Sequence, residues 1–183
     1  MEEQHAGWWY RSDTESGPLL HAKLRPAQEN SGRLVTLVKQ QARLHALDHG
    51  QDYVIVDGPP GIGCPVISAA SGADLAVIVV EPTVAGVHDL DRALATVSHF
   101  HVPATVIVNK SDINLEKVAE IKNFCAENDI ELIGEIPFDT AVTYAMVQGK
   151  PVTQFAPESD VSKSMVDAWK KVKTLADSLP EKD

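Results

Sequence analysis

The segment Asp52-Tyr53-Val54-Ile55-Val56-Asp57-Gly58-Pro59-Pro60-Gly61-Ile62-Gly63 decides how the chain is read. Four of the five residues before Asp57 are apolar and strand-favouring, which predicts a strand covered on both faces, as in a parallel sheet. Asp57 then stands at the strand's carboxyl end, where open α/β sheets bind their ligands. A carboxylate there suits one of the water-linked oxygen contacts of a magnesium ion. The loop from Gly58 to Gly63 offers backbone N–H groups and carries two prolines that restrict its movement, as a nucleotide-sensing switch requires. A plainer role for Asp57 is to cap a helix starting near Pro65 or to bond the turn. No G-x-x-x-x-G-K-[ST] phosphate loop, nor a lysine-bearing variant of it, occurs in the 183 residues.

Beyond this segment, strands and helices alternate. The spacing predicts a short helix near 65–71, a strand at 74–80, a helix at 87–100 and a strand at 104–109. A helix at 115–128, a strand at 130–136 and a helix at 140–148 follow. Strands separated by helices of this length imply right-handed βαβ units and an α/β fold with a mostly parallel sheet flanked by helices. Upstream, Asn30 or Ser31 caps a helix that Gly50 ends. Residues 1–30 read as an extended, hairpin-like segment carrying Trp8-Trp9-Tyr10, and 31–183 as a partial nucleotide-binding α/β domain. At the other end, Val161, Met165, Trp169, Val172 and Ala176 mark the apolar stripe of a helix at 158–179.

Composition narrows the function. A formal charge of −10 argues against a broad nucleic-acid-binding surface. The longest apolar run, Leu75 to Val80, is far too short to span a membrane, and no basic-then-apolar leader precedes it, so a cytoplasmic location is expected. Cys64 and Cys125 lie far apart without ligand-spaced companions, which implies neither a disulfide framework nor a self-contained metal site. Cys64 is expected as a small buried filler, with a reactive thiol near a helix start as the alternative.

Further strand ends carry chemistry. Val106-Ile107-Val108-Asn109-Lys110-Ser111-Asp112 contains N-K-x-D, in which an asparagine amide and an aspartate carboxylate can read a base edge. Equally, Asn109 closes a tight turn while Asp112 or Asn114 caps the next helix. Ile136-Pro137-Phe138-Asp139 ends the next strand on the same edge of the sheet, where a proline exposes a carbonyl and a flat ring face to a purine. Read literally, N-K-S-D would make a GTP site.

Together, D-Y-V-I-V-D-G-P-P-G-I-G, A-D-L-A-V-I-V-V-E-P-T, H-D-L-D-R, V-N-K-S-D and E-I-P-F-D resemble the MinD/ParA/Mrp superfamily of deviant Walker-type ATPases. The likeness is to members carrying an inserted ferredoxin-like domain with [4Fe-4S] clusters, and it runs from about Trp8 to Pro151. It implies a P-loop NTPase-like fold of the SIMIBI type, with ATP and Mg²⁺ as ligands of the complete protein and Asp57 as the Walker B aspartate. Gly58, Pro59, Pro60, Gly61 and Gly63 match switch II. Asn109, with Lys110 and Asp112, matches the base-contacting motif, and Pro137, Phe138 and Asp139 the loop beside adenine. The family's K-G-G-x-G-K-T loop and its cysteine-rich insert are missing, so the resemblance marks this as a C-terminal portion with no complete catalytic set. The family's phosphate-loop strand lies between the Walker B strand and the strand ending at Val80. Without it, the chain is expected to close the gap, to pair with a second copy, or to be completed by a chain bearing the phosphate loop. An iron–sulfur or redox protein is the implied partner. The contrasting function is a non-catalytic assembly module that docks through the sheet edge or Trp8-Trp9-Tyr10.

Overall fold

The computed structural model describes residues 7–24, 31–59 and 63–180, which fall into two compact units, Met1–Ser71 and Gly72–Asp183. In the first, β1 (Gly7–Thr14) and β2 (Gly17–Leu24) form an antiparallel hairpin in which Thr14 faces Gly17 across a tight turn. Gly17 takes a φ of +123°, a conformation open to glycine and strained for other residues. Tyr10 and His21, opposite each other, stack with ring centroids 5.4 Å apart. Helix α1 (Ser31–His49) stops where Gly50 turns left-handed at φ +62°, as its sequence predicts. The Asn30 side of its expected cap lies outside the described residues. Helix α2 (Cys64–Ala70) lies against α1 at Gly32, where an added Cβ would stand 2.9 Å from the Ser68 hydroxyl. Lys39 of α1 donates to the carbonyls of Ser68 (2.8 Å), Ala69 (3.1 Å) and Ser71, satisfying the C-terminal end of α2. Burial and, secondarily, the nearby Arg43 charge push the Lys39 pKa down.

The second unit holds the sheet. Strands β3 (Ala76–Val80), β4 (Ala104–Asn109) and β5 (Glu131–Ile136) run parallel in the order β3-β4-β5. They are joined through α3 (Val84–His99) and α4 (Leu115–Glu127). Both crossovers step the same way across the sheet, so the right-handed rule puts both helices on one face. Leu90, Leu94 and Val97 of α3 and Val118, Ile121 and Cys125 of α4 are their buried residues. A second core joins Ile107, Ile133 and Ile136 to Ala145 of α5 (Thr140–Val147), Val152 of α6 (Val152–Phe155), and Val161 and Ala168 of α7 (Asp160–Ser178). The stripe of α7 departs from expectation. Val161, Ala168, Val172 and Leu175 face the core, while Met165 and Trp169 are exposed. Gly134 explains the choice: a Cβ there would lie 3.0 Å from that of Ala168, so α7 meets the sheet through its small residue.

The two edges of this sheet differ. Between Val106 and Ile107 the β4–β5 register slips by one residue, leaving Ile133 as an extra residue in β5. The freed Ile133 carbonyl accepts a 2.9 Å bond from Lys171 of α7. Strand β3, in contrast, pairs among the described residues with β4 alone, and Val77 and Val79 on one of its faces are exposed.

The strand expected to end at Asp57 is not formed. Residues 53–59 carry no regular structure and belong to neither sheet, and Ile55 is 76% exposed. A β-strand is fixed by ladder partners and by cover on its faces, and this apolar run lacks the ladder among the described residues.

Candidate functional site

Three loops meet at the carboxyl edge of β3, β4 and β5. After β3, Glu81 leads into a buried Pro82 and Thr83, whose hydroxyl caps α3 by accepting from Gly86 N at 2.9 Å. Gly86 is held so close to this turn that a Cβ would sit 2.1 Å from the Glu81 carbonyl oxygen. After β4, Lys110 adopts a left-handed φ of +54°, which turns the chain sharply out of the sheet. Its backbone N–H donates to the Asn109 side-chain oxygen at 3.0 Å, and its ammonium lies 2.7 Å from the Glu81 carboxylate. After β5, Asp139 caps α5 by accepting from Ala141 N at 2.7 Å, and the ring of Phe138 is exposed.

Two bonds fasten the β4 loop to the β5 loop. Ser111 N donates to the Ile136 carbonyl at 3.0 Å, and Phe138 N donates to Asp112 Oδ1 at 2.7 Å. Asn109, Lys110, Asp112, Pro137, Phe138 and Asp139 are thus brought to one edge, as the sequence implies. The helix-capping alternative divides: Asn114 caps α4 by accepting from Lys117 N at 3.1 Å, while Asp112 reaches across to the neighbouring loop. Glu81 was not singled out from the sequence, because its pairing with Lys110 depends on the adjacency of β3 and β4.

The Asp57 segment belongs to the other unit. Asp57, Gly58 and Pro59 are exposed, Gly63 precedes α2 as its N-cap residue, and Pro60 and Gly61 lie outside the described residues. Cys64 corrects the expectation of a buried filler: it is exposed at the start of α2, whereas Cys125 is buried in α4. Burial pushes the Cys125 thiol's pKa up.

The residues present test the implied ligands. Among the described residues no three His, Cys, Asp or Glu side chains cluster to hold a metal, so Asp57 offers a single carboxylate, suited to a water-mediated Mg²⁺ contact. Two cysteines, one buried and one exposed, do not fit the four thiolates of a [4Fe-4S] cluster. No helix among the described residues is long and apolar enough to cross a membrane.

A family profile described as "ParA: NUBPL iron-transfer P-loop NTPase" matches residues 32–173. The chain belongs to the ParA/MinD family of P-loop NTPases. An uncharacterized protein of Methanocaldococcus jannaschii is 30% identical over 156 residues, spanning 85% of this chain and 51% of that one. The septum site-determining protein MinD of Bacillus subtilis is 30% identical over 135 residues, covering 70% of this chain and 50% of the relative. The chain thus spans about half the length of these curated relatives. Among solved structures, the MinD cell division protein of Aquifex aeolicus superposes with a TM-score of 0.68 at 24% identity, covering 94% of this chain and 71% of that one. The three-stranded parallel sheet with its flanking helices is therefore a MinD-like α/β fold.

Proposed function

We propose that this ParA/MinD-family chain supplies the base side of an ATP-binding ATPase site linked to iron–sulfur or redox-partner chemistry, and that alone it does not turn over ATP. The observation that carries this reading is the laced carboxyl edge of β4 and β5, where the Asn109 amide and the exposed Phe138 stand on loops joined by Asp112. Asn109 contacts the base, Pro137 to Asp139 flank it, and Asp57 with Gly58 to Gly63 forms the magnesium and switch element. Phosphoryl transfer depends on positive charge held around the β- and γ-phosphates. The sequence has no phosphate-loop lysine to supply it. A second copy could pair beside β3, but only a chain bearing a phosphate loop would provide the charge as well as the strand. An iron–sulfur or redox protein in the cytoplasm is the client, in keeping with the iron-transfer description of the family. On this reading residues 1–30 form a docking appendage to a partial domain at 31–183.

The test is an ATPase assay on the full chain with Mg²⁺. Phosphate release should equal buffer background, and turnover that vanishes in Asp57→Ala would overturn the reading. A non-catalytic assembly role draws on the exposed Trp8, Trp9 and Tyr10 of the hairpin. Light scattering across a concentration series, together with ATP-dependent melting, separates the two: association without nucleotide protection favours assembly.

A further inference from the structure

The run His45-Ala46-Leu47-Asp48-His49 closes α1 and sets two imidazoles one turn apart on the same side of the helix. Their ring centroids lie 4.0 Å apart, with the planes tilted by 42°. His45 is partly buried and His49 exposed. His49 Nδ1 stands 2.9 Å from the His45 carbonyl oxygen, an atom that can only accept. The proton of the neutral His49 ring is therefore on Nδ1, which leaves the lone pair on Nε2. Metal-binding histidines are commonly oriented in this way, with one nitrogen donating to a backbone carbonyl and the other facing the metal. The pair also stands in the last turn of α1, where the helix carbonyls favour positive charge. Among the side chains whose charge acts on His45, Asp13 and Asp48 favour a cation and Arg11 opposes one. Arg11 is itself paired with Asp13 at 3.2 Å, so the balance of these three is negative.

We propose that His45 and His49 chelate a divalent late transition metal of the Zn²⁺ or Cu²⁺ kind, with water filling the rest of its coordination shell. Neutral imidazoles suit these ions, whereas Mg²⁺ and Ca²⁺ take oxygen ligands. Two imidazoles bound to one Zn²⁺ at about 2.0–2.1 Å hold their centroids about 5 Å apart, so opening the pair by about 1 Å admits the ion. No third His, Cys, Asp or Glu completes a cluster among the described residues, so water keeps the other positions. The ion clips the last turn of α1 just ahead of Gly50, where the helix stops. This site is independent of the nucleotide reading above.

The experiment titrates ZnCl₂ into the ¹⁵N-labelled full chain at about pH 7.5, where an ordinary histidine is mostly neutral. Imidazole nitrogens are followed, with backbone peak dispersion as the folding check. The rings of His45 and His49 should shift together, His49 through Nε2, at a zinc concentration at least about tenfold below that needed by the other five histidines. Zinc shifting His99, His101 or another ring first overturns the proposal. His45→Ala and His49→Ala, each placing a strong helix former at its position, separate a chelate from two lone rings. A chelate makes each ring raise the effective concentration of metal at the other, so either variant should move the remaining ring's midpoint up about tenfold or more. An unchanged midpoint for the remaining ring overturns the chelate. A Cys64→Ser variant controls for capture by the exposed thiol. The two rings should titrate in it as in the wild type, and loss of their shifts would assign the zinc to Cys64 and overturn the site. MgCl₂ over the same range should leave both rings in place; an equal response to Mg²⁺ would reduce the effect to ionic screening and overturn it as well.

Discussion

Val54-Ile55-Val56-Asp57 and Val106-Ile107-Val108-Asn109 share the same three apolar residues and a polar residue at the end, yet only the second lies in a strand. Strand β4 has β3 on one side and β5 on the other, and Val106 and Val108 are fully buried. The first run has no ladder partner among the described residues, and its Ile55 is exposed. The difference teaches that strand character in a parallel sheet is contributed by neighbours. β-propensity measures fit to a pleated, covered surface, and it comes to nothing when the surface is missing. Asp57 and Asn109 inherit that difference. Asn109 is oriented by a strand end and a left-handed turn, while Asp57 lies exposed in irregular chain.

The largest test of this contrast places a charge in each run. Val106→Asp should destabilise the second unit by about 4 kcal/mol or more, because an unpaired carboxylate would be buried. Ile55→Asp should stay within about 0.5 kcal/mol, as for other exposed substitutions. Urea melts of the two variants decide the matter. A comparable loss in Ile55→Asp would mean that 52–56 is covered in solution and that the contrast is false.

Much of the second unit was legible in advance, since its helices and strands are local patterns closed by their own neighbours. The elements at 104–109, 115–127 and 140–147 lie where periodicity puts them, and Asn114, one of the two caps the sequence offers for the second, is the capping side chain; the Asp139 cap of the third emerges only from the structure. What escaped was non-local. Whether 52–56 joins a ladder depends on partners distant in sequence, and among the described residues it has none. The choice of Ala168 over Met165 and Trp169 depends on Gly134, more than thirty positions away. The partners of Asp112 and Lys110 required knowing which strands are adjacent. The α6 turn at Val152–Phe155 is too short to register as a period.

The next test makes one substitution in both loops. Gly86→Ala forces a Cβ to within 2.1 Å of the Glu81 carbonyl oxygen, a backbone atom that cannot swing aside. A loss of about 2 kcal/mol is expected from that overpacking, together with a weakened Lys110–Glu81 pair. Gly58→Ala meets nothing within 4 Å and should change stability by less than about 0.5 kcal/mol in either direction. Thermal melts compare them. Equal effects would show that the two loops are equally constrained, against the packed-versus-irregular distinction.

The cysteines give the gentlest probe, because labelling reads access without perturbing the fold. Cys64 follows the Asp57 loop and is exposed; Cys125 is buried in α4. The thiolate is the reacting form, so a thiol whose pKa is raised by burial is slowed twice, by access and by protonation. At neutral pH Cys64 should react with a maleimide at least about a hundredfold faster than Cys125, whose rate should follow opening of the second unit. The sign of the pH effect follows from the same shift. Unfolded Cys125 releases its proton at the ordinary thiol pKa while the folded thiol still holds it. Its contribution is therefore fully present below that pKa, and declines as pH rises from there through the folded value. A Cys125→Ala variant should flatten that alkaline decline, read from urea melts across the pH range. Matching labelling rates at neutral pH would place Cys125 in chain as open as that around Cys64, and the contrast between the two regions would fail at a buried position of α4.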